Sequence, residues 1–278
     1  MLDVHRKHGD LKMGLAFNLG FKSTRVLSDL KLTHIQQESM TYLGLYGDTV
    51  SESLKNRGKG VLVTPVTQYQ PANWVLGSNY LSSAARNLSS AVQSAGQPQH
   101  LDSTVFVVFN AGVTDVTPGA VSHAYVASLW GTAAGMQPYE NPGRLSISLT
   151  TDSDGTRYIA LKWGTGVNVP SLSCAVKFDW AAATGPIFAV GSRNSGGEMA
   201  LEVRVGDSSL RASTTVPPVN IPPATTDWRM YAGLLSTGPI TDLKVYAAAV
   251  WSTYLDPESI SSEMNIMAVN LSSHLKTI

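Results

Sequence analysis

A chain of 278 residues is long enough to bury a full core within one large domain, and its 20 basic and 20 acidic residues cancel, which removes the electrostatic case for nucleic acid or an anionic membrane surface as partner. Only 14% of the residues are charged, and Ser, Thr, Gly and Val are frequent, as in a sheet-rich protein with many turns and the weakly charged surface of an assembly component. No apolar run approaches the ~20 residues that span a bilayer, no signal peptide is legible around the short stretch Gly14 to Phe21, and the single Cys174 excludes an intramolecular disulfide, so the product is expected to begin in the cytoplasm.

In residues 1–40, a small basic cluster (His5, Arg6, Lys7, His8) precedes Leu11, Met13, Leu15, Phe17 and Leu19, which alternate with polar or small residues as an extended arm does. So many apolar side chains need cover. The arm either folds back on its own domain or serves as an assembly and attachment segment. From Tyr42 the chain changes character, and residues 41–278 read as the main domain. Ser82 to His100 places Ala84, Leu88, Ala91 and Val92 at helical spacing and ends at Gly96 and Pro98, so a surface insertion with one short helix is predicted there.

Leu101 to Asn110 (LDSTVFVVFN) is a continuous apolar run, the mark of a central strand covered on both faces. Val121 to Trp130 is the next strand, and Leu145, Ile147 and Leu149 alternate with serines in another. Asp154-Gly155 is then expected to supply the positive φ angles of a tight hairpin turn, leading into a strand with Ile159, Leu161 and Trp163 inward. Further strands are predicted at Ser173 to Trp180, with Cys174 buried, and at Pro186 to Ser192, Met199 to Val205 and Leu210 to Thr214. In the third of these Met199, Leu201, Val203 and Val205 share one face. Glu202 and Arg204 share the other, as a solvated pair. Val216 to Ala224 carries PPVNIPP and reads as an extended loop. Trp228 to Leu235 and Ile240 to Tyr246 complete the strands. Asp256 caps a closing helix with Pro257 in its first position and Ile260, Met264 and Met267 on one stripe.

The strand -DLKVY-, the loop after it and the -LDPESI- helix resemble the C-terminal end of laminin-G-like modules of the concanavalin A-like jelly-roll superfamily. The stretch from Tyr42, with its Gly-Asp-Thr turn, Asn-Arg-Gly-Lys-Gly turn and Gly-Ser-Asn-Tyr-Leu strand, looks like the opening of such domains in tailed-bacteriophage structural proteins. The resemblance, spread loosely over Tyr42 to Met267, implies an all-β, two-sheet antiparallel jelly-roll sandwich with a short C-terminal helix and an N-terminal arm.

Glycoside hydrolases of this superfamily carry closely spaced acids on one strand, of the form E-x-D-x-x-E, to supply two carboxylates across a cleft. No strand here matches, and ALEVRVGD sends only Glu202 outward. Gly206 to Leu210 (GDSSL) is similar to the nucleophile block of an esterase family, but it lies late and among strands, where a turn is the simpler reading. Asp152 and Asp154, with Asp115 and Asp179 elsewhere, are candidate calcium ligands, set against the hairpin that D-S-D-G makes without metal. The six histidines lack a paired zinc spacing. For sugar binding, which needs aromatic faces beside amide or charged groups, the candidates are Trp130 with Arg193 and Asn194 in a rim loop.

The resemblance to tailed-phage structural domains, which the weak charge and the missing catalytic carboxylates fit, implies a non-enzymatic virion component of a tailed phage, in tail, fibre or decoration. It displays a lectin-like domain, has other virion proteins and its own copies as partners, and binds a host-surface polysaccharide. The alternative is a bacterial carbohydrate-active enzyme or binding module, which an outward carboxylate pair in a deep groove would mark.

Overall fold

The computed structural model describes residues 36–61, 63–84, 88–96, 102–112, 122–131, 145–163, 172–215, 228–236 and 241–275. The chain divides into units of residues 1–32 and 33–278. The arm residues Leu11, Met13, Leu15, Phe17 and Leu19 lie outside the described residues, as do 216–227 and the proline-rich loop within them.

In chain order the described elements are β1 (Met40–Leu45), α1 (Val50–Ser53), β2 (Val66–Tyr69), β3 (Trp74–Leu76), β4 (Leu81–Ser83), β5 (Ser90–Ser94), β6 (Ser103–Gly112), β7 (Ser122–Gly131), β8 (Leu145–Thr151), β9 (Arg157–Trp163), β10 (Leu172–Lys177), β11 (Ile187–Arg193), β12 (Glu198–Val205), β13 (Ser208–Thr215), β14 (Trp228–Ser236), β15 (Thr241–Trp251) and α2 (Pro257–Leu275). They form two antiparallel sheets. Sheet I runs β13-β12-β11-β6-β15-β4-β3, with β1 also paired to β15, and sheet II runs β10-β9-β8-β7-β14-β5-β2. This is the all-β, two-sheet jelly-roll sandwich that the resemblance implies, with its strands where the alternation predicts most of them.

The core between the sheets is made by the inward side of each alternation. Val105, Val107 and Phe109 of β6 and Leu201 and Val203 of β12 meet Leu145, Ile147 and Leu149 of β8 and Ile159, Leu161 and Trp163 of β9. Cys174 and Val176 of β10 join them, and burial pushes the Cys174 thiol up to about 11, so it behaves as a small apolar group. The β8–β9 hairpin forms as expected, with one difference in its turn. Only Gly155 takes a positive φ, 83°. Asp154 instead accepts the Thr156 N–H at 2.8 Å, which fixes the turn through its side chain.

β6 is covered on both faces, as its unbroken apolar run implies. Phe106 and Val108 point away from the inter-sheet core and are fully buried, with Phe106 6.3 Å from Phe188 of β11. Over this outward side of sheet I lies α2, which packs on β11 and β12. Its start is the expected one: Asp256 Oδ1 accepts the Ser259 N–H at 2.8 Å and Pro257 opens the first turn. Ile260, Met264, Met267 and Leu271 are all buried. Four such side chains contribute roughly 6–12 kcal/mol of transfer free energy before the entropy of ordering the helix.

α2 also corrects the expected solvated face of β12. Glu202 is 1% exposed. Its carboxylate accepts from Ser261 Oγ of the helix at 2.5 Å, Ser209 Oγ at 2.9 Å, Arg211 Nε at 2.9 Å and Arg204 Nη2 at 3.1 Å. Alternation assigned the side correctly, but a helix whose Ser261 lies 59 residues downstream covers it. A second correction concerns Ser82 to His100. Its described part is strand: β4 pairs with β3 and β15, and β5 lies between β2 and β14. Ala91 and Val92 are buried on opposite sides of β5, an arrangement a surface helix cannot give.

Candidate ligand-binding face

With one side of sheet I under α2, the outward side of sheet II is the large sheet surface that no described helix covers. Because its inward positions are fixed by the core, the outward ones follow by alternation. Strand pairing then sets seven of them in one row across all seven strands: Thr67, Gln93, Tyr231, Ser128, Ser146, Lys162 and Ser173. At ~4.8 Å per strand the row is roughly 29 Å long. Six of its members are hydroxyls or an amide; Ser128, Ser146 and Tyr231 at its centre are buried, and Thr67, Gln93, Lys162 and Ser173 reach solvent. The adjacent row carries Tyr69, Ala91, Ser148, Ala160 and Ala175.

Around Tyr231 the face becomes aromatic. Tyr69 meets Tyr231 edge to face, with ring centroids 5.2 Å apart and planes at 82°, and Tyr125 and Ala91 complete the cluster. Gln93 Nε2 donates to Tyr231 Oη at 3.2 Å, and Trp74 Nε1 donates to the Tyr69 carbonyl at 3.0 Å. Burial pushes the Tyr231 hydroxyl up, so it stays protonated at neutral pH and keeps a hydrogen to donate. Toward the other end Ser148 Oγ donates to the Ala160 carbonyl at 3.3 Å, and Ser146 and Ser148 are buried. Arg229, Lys162 and Lys177 are the charged residues at outward strand positions of this sheet. Among the described residues no Asp or Glu stands at such a position.

The residues singled out from the sequence lie on both sheets. Trp130 lies near the end of β7, where its backbone pairs with Arg229 on sheet II. Arg193 and Asn194 belong to sheet I and the turn after it. Arg193 is not in a rim loop: it ends β11, is fully buried, and its guanidinium lies 4.5 Å from the centroid of the Trp163 ring. Burial pulls its pKa down to about 9, against the pull of Asp102. Asn194 is engaged in its own turn, its amide donating to Glu198 Oε2 at 2.6 Å and its carbonyl accepting the Glu198 N–H at 3.0 Å.

Asp152 and Asp154 are both in the β8–β9 turn, and the hydrogen bond from Thr156 holds the exposed Asp154 carboxyl below the usual range. Asp179 is paired with Arg157 at 2.7 Å. Among the described residues no three His, Cys, Asp or Glu side chains converge as a metal cage would require. In the hairpin the Asp154 side chain fixes the turn. In the GDSSL stretch Gly206, φ 54°, turns β12 into β13, and Ser209 is hydrogen bonded to Glu202. His274 lies elsewhere, buried at the end of α2 with Nε2 3.3 Å from the Tyr246 carbonyl oxygen. No described helix is long and apolar enough to cross a membrane.

No protein-family model matches the sequence, and no curated protein matches it. Solved structures do resemble the fold. The binding domain of botulinum neurotoxin serotype D is 12% identical with a TM-score of 0.52, over 84% of this chain and 52% of that one. The VIP36 exoplasmic/lumenal domain, in its Ca2+/Man2-bound form, is 13% identical with a TM-score of 0.49, over 80% of this chain and 94% of that one. A legume lectin-like domain from Entamoeba histolytica is 11% identical with a TM-score of 0.45, over 67% of this chain and 89% of that one. At these identities the likeness to the neurotoxin binding domain shows a shared sandwich fold alone and carries no residue role across.

Proposed function

We propose that this chain is a non-catalytic, lectin-like component of a bacteriophage particle that holds a cell-surface polysaccharide on the outward face of sheet II. The observation that carries the reading is the composition of that face where it reaches solvent: Thr67, Gln93 and Ser173 in a polar row beside Tyr69 and Tyr125, with no carboxylate at the described outward strand positions. Sugars are held by many neutral hydrogen bonds next to aromatic rings. Their hydrolysis calls for two carboxylates across the bound bond. The resemblance of the stretch from Tyr42 to phage structural domains supports the virion setting, made in the host cytoplasm. The alternating apolar residues Leu11 to Leu19 support attachment to other virion proteins or to further copies. The neutral net charge argues against nucleic acid as partner.

The test is retention of the full-length chain on arrays of bacterial surface polysaccharides, in calcium and in EDTA, with reducing ends assayed on the same samples. Retention without new reducing ends is expected. Release of reducing ends would establish the bacterial carbohydrate-active enzyme in its place, and failure to retain any glycan would remove the binding role. Loss of retention in EDTA alone would assign calcium to the site.

A further inference from the structure

Every open sheet has edges, and most of those described here are guarded. The free side of β1 is covered by residues 56–61. Asn56 Nδ2 donates to the Thr41 carbonyl and its Oδ1 accepts the Leu43 N–H, Arg57 N–H donates to the Leu43 carbonyl, and Gly60 N–H donates to the Met40 carbonyl. Gly58 and Gly60 allow this close approach, since a Cβ would lie 2.9 and 2.6 Å from Met40 O. β2 and β3 are four and three residues long. β10 is six residues long and ends on Lys177. Short strands and edge lysines are the usual defences against pairing with another chain.

β13 has none of them. It is eight residues long, pairs with β12 from Ser208↔Val205 to Thr215↔Glu198 without a bulge, and ends sheet I. Six of its residues, Ser208 to Arg211, Ser213 and Thr215, are exposed. It has no proline or lysine, and its one charge, Arg211, is drawn back by Nε onto Glu202. Among the described residues no strand pairs with the outer side of β13, so the backbone N–H and C=O groups there have no described strand partner.

We infer that two copies of this chain join through β13, pairing antiparallel about a two-fold axis at Ala212 into one continuous sheet. The strand is self-complementary in that register. Ala212 meets its own mate, Arg211 faces Ser213 of the second copy, Leu210 faces Thr214, and Ser209 faces Thr215. Centring one residue earlier would set two guanidinium groups opposite each other, which is unfavourable. Charge complementarity favours the same register. A cavity of about 180 Å³ beside the strand is lined by Glu202, Arg211, Ser213, Pro257 and Ile260 among others. Arg211 of the second copy, opposite Ser213, arrives at its mouth with the Glu202 carboxylate beneath. The neutral chain opposes its own approach with no net charge.

The experiment is light-scattering mass on the full-length chain and on Ser213→Lys, which sets a lysine at an exposed position opposite Arg211 of the second copy. The wild type is expected to have twice the monomer mass or an even multiple of it, and Ser213→Lys half the wild-type mass with an unchanged melting temperature. A second variant reads the register: Ala212→Cys is expected to give a disulfide-linked dimer on mild oxidation, because paired Cα atoms ~4.5–5.5 Å apart suit a disulfide. The native Cys174 is buried and does not compete. Val61→Cys, at a site 87% exposed in the loop beyond β1, is expected to give no such dimer. A monomeric wild type, an unchanged mass in Ser213→Lys, or equal crosslinking of the two cysteine variants overturns the inference.

Discussion

Replacing Glu202 by Gln tests the idea that one buried carboxylate ties β12, β13 and α2 together. The side chain keeps its size and loses its charge. In the wild type its oxygens accept four hydrogen bonds, from Ser261, Ser209, Arg211 and Arg204. Hydrogen bonds to a charged group are worth about 1.5–3 kcal/mol each, but Gln retains an acceptor and Arg211, 59% exposed, is screened by water. The loss at neutral pH is therefore expected to be about 2–3 kcal/mol, which in a chain of this size lowers Tm by about 5–10 °C. Burial alone would raise the carboxyl, and the hydrogen bonds from Ser261, Ser209 and Arg204 with the charge of Arg211 outweigh it, so the folded value lies below the usual one. A depressed folded value stabilises the protein above the unfolded pKa, and that contribution disappears as pH falls through the folded value. Urea unfolding of wild type and Glu202→Gln at neutral pH and at steps below pH ~4.5 is the assay. A difference under about 0.5 kcal/mol at neutral pH, or one that persists undiminished in acid, refutes the reasoning.

Gly191 of β11 faces Leu161 of the opposite sheet so closely that an added methyl would overlap the leucine side chain. Gly191→Ala is expected to destabilise by about 1–3 kcal/mol in urea unfolding. His274 is held below its ordinary pKa chiefly by burial, with Arg57 adding to it against hydrogen bonds that raise it. Its contribution to stability is present above pH ~6.5 and declines as pH falls through the folded value. His274→Gln should flatten the stability profile in that window, as read by thermal melts. Tyr231→Phe removes a hydroxyl from the row on sheet II and is expected to weaken glycan retention about 2- to 10-fold, with Tm nearly unchanged.

What was legible in the sequence was what alternation encodes. The strands over Leu145 to Trp163 and Met199 to Val205 and the stripe of α2 fall where the periods place them. β15 shows where alternation stops being readable. Leu243 and Val245 face the core, a bulge follows between Val245 and Ala247, and Ala248 and Val250 then face it instead. A bulge reverses the parity of every later residue. The sequence therefore reads as a strand to Tyr246, although the strand runs to Trp251. In Ser90 to Ser94 the small residues fit helix or strand, and pairing with β2 and β14, which only the tertiary fold supplies, decides for strand. Arg193 reads as a loop residue because a Gly-rich turn follows it. Its neighbours Trp163 and Asp102 are 30 and 91 positions away. The polar row of sheet II was half visible, in the serines between Leu145, Ile147 and Leu149. Its other half, Gln93 and Tyr231, needs the strand order before it becomes one surface.

The contrast between the two outward faces connects the binding proposal with the pairing proposal. Sheet I is covered by α2 on the outward side of β11 and β12, and its edge at β13 is exposed. Sheet II is the side left with hydroxyls, an amide and tyrosines. A two-fold axis perpendicular to sheet I at Ala212 keeps both sandwiches on the same side of the continuous sheet. Both sheet II faces then point in one direction. Two weak sites held in that way meet a repeating polysaccharide surface together, and linkage raises avidity by 10²–10⁴ without any new contact. Ser213→Lys should then lower retention on an immobilised polysaccharide far more than affinity for a short oligosaccharide in solution. Equal losses on both would mean that the pairing of β13 does not serve the binding face.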